Sequence, residues 1–378
     1  MDMFKIKLSD PHPSGNELNY VREALAKNEL SCYGDNLFKF EKNLSMYLDK
    51  NKKVVSTISG TAAIHLSLIL AGVGKGDEVI CQNMTFSASA FPILYQGGIP
   101  VFIDSELDTW NMCPDSLESA IKDRIKKNKK PKAIIVVHIY GMPANMSRIT
   151  EVSQKYNIPI IEDAAEAIGS TYKGEKCGAL GDYGAFSFNG NKIITSSGGG
   201  ALICKSFSDK ERAVFLATQA RDDAPYYEHS EIGYNYRMSN IIAAIGRAQL
   251  EDLDLRITQR RQNNLFYQEL FKDINGCNVH IEPNKSFFSN HWLSCVLIEP
   301  EISGFANVDL RNKLLKENIE SRFLWKPMNM QPVFRESLYY GANVSKNLFK
   351  KGLCLPSGSN LTEEDKNRIS TAIKSFLS

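Results

Sequence analysis

Strand-like runs alternate with helical stretches between Val54 and Cys204, and no other feature of the 378-residue chain narrows its fold as much. The strand candidates, rich in apolar and β-branched residues, are Val54–Ile58, Glu78–Cys81, Pro100–Ile103, Ala133–His138, Pro159–Glu162, Gly184–Phe188 and Ala201–Cys204. Helical patterns over Thr61–Ala71, Ser87–Gln96, Pro114–Lys127 and Met146–Tyr156 separate the first five. Parallel strands need long crossovers, and strands covered on both faces read as unbroken apolar runs such as Ala133–Val137. The expectation is an α/β protein whose mostly parallel sheet has helices on both faces. Sandwiches and barrels of consecutive short strands do not fit this order.

The pattern changes after Asn240. Ile241–Tyr267 reads as one long helix, with apolar residues at Ile242, Ile245, Ala248, Leu250 and Leu253. Beyond it come a mixed segment, Trp292–Ile298, a helix near Val308–Asn318 and a last helix from Thr362. This divides the chain into a large domain, residues 1–250, and a smaller α/β domain, residues 251–378. The large domain opens with an arm and a helix over Gly15–Asn28.

Charge and cysteine content exclude several classes. The formal charge of +2 lacks the positive field that nucleic-acid binding requires. The basic run KDRIKKNKKPK at 122–132 reads as a solvated helix end, because no aromatics interleave with it. The eight cysteines form no Cys-x-x-Cys clip, so neither a zinc ribbon nor a thioredoxin motif is available, and no metal is expected. The opening MDMFKIKLSD has no apolar signal region, and the longest apolar run, Ala133–Val137 continuing to Tyr140, is too short to cross a bilayer. A reduced, cytoplasmic setting with no membrane partner is expected.

In such a sheet chemistry belongs at the carboxyl ends of the strands, and three clusters fall there. Ser59-Gly60-Thr61-Ala62-Ala63 joins the first strand to its helix, where backbone N–H groups and the helix dipole favour an anion. Glu162-Asp163-Ala164-Ala165-Glu166-Ala167 follows the fifth strand. Two acids at an apolar mouth need partners, and the small residues around Asp163 leave room for something flat and polar. The third cluster runs from Phe186 through Asn189-Gly190-Asn191-Lys192 to Gly198-Gly199-Gly200. A lysine in that setting is partly desolvated, which lowers its pKa and makes it a nucleophile. A phosphate cradle, a strand-end Asp and a desolvated Lys, in that order, are the parts that hold pyridoxal 5'-phosphate. The glycine fingerprint of a nicotinamide-binding fold is missing after the first strand.

These residues, with Gly76-Asp77-Glu78-Val79-Ile80, Thr85-Phe86, His138-Ile139-Tyr140-Gly141 and Gly233-Tyr234-Asn235-Tyr236-Arg237, resemble the DegT/StrS family of nucleotide-sugar aminotransferases. The likeness runs from about Gly15 to the end of the chain. It implies the aspartate aminotransferase fold (fold type I), a homodimer with shared active sites, and transfer of an amino group from L-glutamate to a keto-sugar nucleotide. It further implies that Lys192 links to the cofactor and later carries the proton, while Asp163 pairs with the ring nitrogen. By the same resemblance Phe86 stacks on the ring, and Gly60, Thr61 and Ser187 hold the phosphate. Asn235 would reach the cofactor phosphate of the partner subunit. Glu166 stands where many relatives have Gln or His, near the ring hydroxyl.

Residues 189–192, 219–221 and 322–328 look most like members acting at C4 of 4-keto-6-deoxy sugars. The UDP-linked N-acetylamino sugar is nearest, followed by dTDP-4-keto-6-deoxyglucose and the GDP-linked precursor of perosamine. His291, Trp292, Arg322 and Trp325 are the expected substrate contacts; for the first three, packing within the small domain is the alternative. Asn329 departs from the His of many relatives, and His65 is expected to pack on its helix. Dehydratases of the same fold carry His at the lysine position, so Lys192 favours transamination. A regulatory or sensor protein is the non-enzyme alternative, but no basic helix-turn-helix supports it.

Overall fold

Eight strands build the main sheet of the computed structural model, which describes residues 4–48 and 52–377. They are β1 (Lys53–Thr57), β2 (Glu78–Gln82), β3 (Ile99–Ile103), β4 (Ala133–Val137), β5 (Ile160–Asp163), β6 (Tyr183–Ser187), β7 (Gly200–Cys204) and β8 (Leu338–Tyr340). Their order is β1-β7-β6-β5-β4-β2-β3-β8. Every neighbouring pair is parallel except those made by β7, which runs against both β1 and β6. The expected α/β, fold type I architecture is thus present. Residues 1–3 of the expected arm, residues 49–51 and Ser378 of the last segment lie outside the described residues.

Alternation along the strands sends side chains into two cores. Val79, Cys81, Phe102 and Ile135 pack on one face with Ile64 and Leu68 of the helix Gly60–Leu70. Ile80, Val101, Ile134 and Val136 pack on the other with Leu117 and Ile121 of the helix Pro114–Lys126 and Ile149 of the helix Met146–Tyr156. Both faces are dry, which is why these strands carry so few polar residues.

The smaller sheet is antiparallel, in the order Cys277–Val279, Ser294–Ile298, Gly352–Leu355, Arg322–Phe323. Leu310 and Leu314 of the helix Asn307–Lys316 and Ile369 and Ile373 of the helix Glu363–Leu377 fill its core. The N-terminal arm is stitched to this unit. Ile6 bridges to Ile319, the Leu8 N–H donates to Glu320 Oε2 at 2.9 Å, and the Ser357 N–H donates to the Leu8 carbonyl at 2.8 Å.

Several elements differ from the expectations, among them the helices Phe207–Ala217 and Val344–Lys351, which were not expected. The long helix expected over Ile241–Tyr267 is two, Asn240–Glu251 and Leu253–Phe271, broken at Asp252. The first packs on the helices Glu17–Ala26 and Asp35–Leu48 and the second reaches the smaller sheet. Arg256 pairs with Asp252 at 2.9 Å and donates to the Pro13 carbonyl at 3.0 Å, so the arm packs at the break. The expected helix Ser87–Gln96 is a 3₁₀ turn, Ser87–Ser89, followed by a short helix, Phe91–Tyr95, with Pro92 in its first turn. The helix Asp35–Leu48 and strand β8 were not expected at all.

Because β7 is reversed, its first residue lies at the carboxyl ends of its neighbours, with Gly200 opposite Thr57 and Ser187. A Cβ on Gly200 would lie 2.4 Å from the Ser59 carbonyl carbon and 2.5 Å from the Gly60 nitrogen. Only glycine lets the turn at the start of the helix Gly60–Leu70 settle onto β7. Gly200→Ala is expected to lower stability by about 2 kcal/mol or more in urea unfolding. Gly190→Ala, where a Cβ meets nothing within 4 Å, is the matched control and should change it by less than about 1 kcal/mol.

Candidate active site

A cleft of about 210 Å³ opens at the carboxyl ends of β1, β2, β5 and β6 and collects Gly60, Thr61, Phe86, Asp163, Glu166, Ser187, Lys192, Trp292 and Trp325. The helix Gly60–Leu70 begins on it. Ser59 caps that helix, its hydroxyl accepting from the Ala62 N–H at 3.1 Å. The first-turn N–H groups and the positive end of the dipole therefore face the cleft beside the Thr61 and Ser187 hydroxyls, a ready site for a phosphate. Gly60 packs so tightly on β6 that a Cβ would stand 3.0 Å from the Ser187 Cβ.

The two acids at the end of β5 point to opposite sides. Glu162 is fully buried and serves the scaffold. Its carboxylate accepts from the N–H groups of Gly178, Leu180 and Gly181 at 2.6–2.8 Å and from His138 Nε2 at 2.8 Å. The Ala144 N–H donates to His138 Nδ1 at 3.0 Å, which leaves the ring proton on Nε2 to serve Glu162. Asp163 turns to the cleft. Ser89 Oγ donates to its Oδ2 at 2.5 Å, Thr85 Oγ1 stands 2.6 Å from Ser89 Oγ, and the Ala165 N–H donates to Oδ1 at 3.1 Å. The 3₁₀ turn after β2 thus brings Ser89 to Asp163 and orients it.

Lys192 lies across the cleft. Its Nζ sits 4.1 Å above the Trp292 ring and 3.8 Å from Glu166 Oε1, with 13% of the side chain exposed. Burial pushes the amine below the ordinary lysine range, and the Glu166 and Asp163 carboxylates pull it partly back. Burial likewise raises the Glu166 carboxyl above the usual glutamate range, opposed by Lys192 and by the Tyr140 N–H. That N–H donates to Glu166 Oε2 at 2.6 Å from a left-handed residue, φ 54°. Non-glycine residues in this conformation are held there by their surroundings, often at functional sites.

Trp325 closes another wall. Its indole N–H donates to Glu166 Oε1 at 3.3 Å, its backbone N–H donates to the Tyr140 hydroxyl at 2.7 Å, and the Phe86 ring lies 5.2 Å away. Three expected site residues lie elsewhere in this chain. Asn235 is exposed and bridges to Thr218; His291 is turned to Glu282 at 3.3 Å; the Arg322 side chain, 61% exposed, pairs with Glu320. Ser89 and Asn290 belong to the arrangement but were not read from the sequence, and Tyr140 was read only as part of a family motif. Asn290 Nδ2 donates to the carbonyls of Glu166 and Ile168 at 2.9–3.0 Å, and its Oδ1 accepts from the Trp292 N–H at 2.8 Å, tying the Trp292 loop to the Glu166 segment. Nothing in the local pattern around Asn290 marks it.

A sheet of this topology with this cleft is the arrangement of a fold type I pyridoxal phosphate-dependent enzyme. Residues 12–374 match the DegT/DnrJ/EryC1/StrS aminotransferase family, and the chain belongs to it. The EpsN protein of Bacillus subtilis (strain 168) is 46% identical over 370 residues, covering 97% of this chain and 94% of the relative. The GDP-perosamine synthase of Escherichia coli O157:H7 is 36% identical over 376 residues, 99% of each chain. A crystal structure of a DegT DnrJ EryC1 StrS aminotransferase from Brucella abortus superposes with a TM-score of 0.88 at 29% identity, covering 96% of each chain. The protein is a sugar aminotransferase, and its cofactor is pyridoxal phosphate.

The cleft fits that cofactor on its own chemistry. A helix N-terminus would hold an anion, a fixed carboxylate would pair with a basic ring nitrogen, and a dry amine would bond an aldehyde carbon. Among the described residues no cluster of His, Cys, Asp and Glu could hold a metal, and no helix is long and apolar enough to cross a membrane.

The opposing pulls on Lys192 give a signed prediction. Glu166 raises the amine's pKa, so Glu166→Gln should move the midpoint of Lys192 acetylation, followed by peptide mass spectrometry, to lower pH. A rise would mean that Glu166 does not face the amine electrostatically.

Proposed function

We propose that the chain transfers the amino group of L-glutamate to C4 of a nucleotide-linked 4-keto-6-deoxy sugar, working as a homodimer in the cytoplasm. The observation that carries this reading is the dry Lys192 amine facing Glu166, in the same cleft as Asp163 and the N-terminus of the helix Gly60–Leu70. Pyridoxal phosphate, when bound, supplies the carbon that takes up the amino group and a ring that accepts electrons from the substrate carbon.

This chain's residues then have distinct tasks. Gly60, Thr61 and Ser187 hold the phosphate, and Phe86 lies against the ring. Asp163, oriented by Ser89, keeps the ring nitrogen protonated. Lys192 would bond the cofactor at rest, and its neutral amine, when free, would take the α-proton of glutamate. Nζ later returns a proton to the sugar carbon from one face, which sets the configuration of the new amine. A lysine whose pKa lies below the ordinary range suits both roles. Glu166, which accepts from the Trp325 indole N–H at 3.3 Å, would lie near the ring hydroxyl. Trp292 and Trp325 form the wall against which the sugar lies. Asn235 stays outside its own cleft, and its exposure supports a role in the active site of a second copy.

The sugar nucleotide is the finer part of the proposal. A UDP-linked N-acetylamino sugar is the first candidate, from the sequence of the substrate-facing segments. The full-length likeness to GDP-perosamine synthase favours a GDP-linked sugar as the second. A panel of UDP-, dTDP- and GDP-linked 4-keto-6-deoxy sugars with L-glutamate, with products identified by NMR, separates the two. The expected product carries a C4 amine; no product with any member overturns the proposal. Asp163→Asn should cut kcat by about 10²–10⁴-fold while the fold, followed by circular dichroism, is kept.

A further inference from the structure

We propose that Arg260 is a positioning residue for Lys192: one guanidinium on the helix Leu253–Phe271 holds both hydrogen-bond donors that fix the carbonyl immediately before the lysine. That carbonyl belongs to Asn191. It accepts from the Ser9 hydroxyl at 2.7 Å and from the Trp292 indole N–H at 2.8 Å. Arg260 Nη2 donates to Ser9 Oγ at 2.9 Å, and its Nη1 donates to the Trp292 carbonyl. The N-terminal arm, the Trp292 loop and the lysine loop therefore meet at the Asn191 carbonyl, held in place by the buried Arg260 guanidinium.

The burial of Arg260 has no structural excuse. Its side chain is fully enclosed, its Nε finds no partner, and among the described residues no carboxylate pairs with it. A buried cation without a counter-charge is costly, and a hydrophobic residue would pack the same position. What the guanidinium offers instead is a planar fork that orders two partners at once. Both partners lead to the peptide that carries Lys192, and Trp292 also lies 4.1 Å under its amine.

The charge acts in the same direction as the geometry. The groups facing Lys192 are the Glu166 and Asp163 carboxylates, which favour its protonated form, and Arg260, which opposes it. Loss of Arg260 thus raises the lysine's pKa twice, by removing a neighbouring positive charge and by letting the amine drift toward water. The arm joins the site through the same network: Ser9, distant in sequence, becomes part of the lysine's support.

The inference rests on the proposed role of Lys192 but is tested without substrate. Full-length apoenzyme is acetylated over a pH series, and modification of Lys192 is followed by peptide mass spectrometry. Arg260→Gln should raise the midpoint by about half a pH unit or more. Ser9→Ala, which removes one donor and no charge, should raise it by less and increase the labelling rate above the midpoint. Arg260→Lys, keeping the charge but not the fork, should fall between wild type and Arg260→Gln. Thermal melts establish that each variant is folded. If Arg260→Gln does not fold, Ser9→Ala and Trp292→Phe decide. Folded variants whose midpoints and rates all match wild type would overturn the proposal. Failure of the sugar panel, by contrast, would leave these midpoints unchanged and would count against the substrate reading alone.

Discussion

An amine kept out of water is the constraint around which this molecule is arranged. Lys192 is cationic by default, and its place over the Trp292 ring, close to a buried carboxyl, works against that state. Glu166 is cationic lysine's natural partner, yet burial pushes its own proton affinity upward. Lysine shifted down and glutamate shifted up bring the two groups nearer to sharing one proton. That is the condition under which a lysine can bond a carbonyl carbon and later move protons near neutral pH. Asp163, by contrast, is oriented by hydrogen bonds from Ser89 and the Ala165 N–H. Two acids three residues apart are thus given different work by their surroundings.

The second requirement is that pieces from distant parts of the chain meet at one crevice. Parallel strands bring their carboxyl ends together, and the reversed β7 adds its amino end to the same edge. Gly200 can then lie directly beneath the turn that begins the helix Gly60–Leu70. The later part of the chain adds the far wall through Trp292 and Trp325. Asn290 ties that wall to the Glu166 segment, and the arm reaches across to the Asn191 carbonyl. The cleft is lined by residues from Ile58 to Trp325, and the arm supports it from behind through the Asn191 carbonyl.

Much of this was legible in the residues. The alternation from Val54 to Cys204 announced the parallel sheet because strands buried on both faces tolerate little but apolar residues. Gly60, Thr61, Asp163 and Lys192 stood out because they fall in clusters that follow strands, whereas Ser187 came from the family resemblance. The break at Asp252 was hidden, since helix-forming residues surround it and only docking of the arm and the smaller sheet makes the chain turn. β8 was hidden because three residues, Leu338–Tyr340, carry too little periodicity to be read. Ser89, Asn290 and Arg260 were invisible for a different reason. Their partners lie 74, 124 and 251 residues away, and no local pattern reports a hydrogen bond closed at that separation.

The most direct measurement is borohydride reduction of the yellow holoenzyme followed by peptide mapping. The pyridoxyl group should be found on the peptide that contains Lys192, and Lys192→Ala should carry none. Attachment at another lysine, or persistent attachment in Lys192→Ala, would contradict the assignment of this amine as the centre of the site.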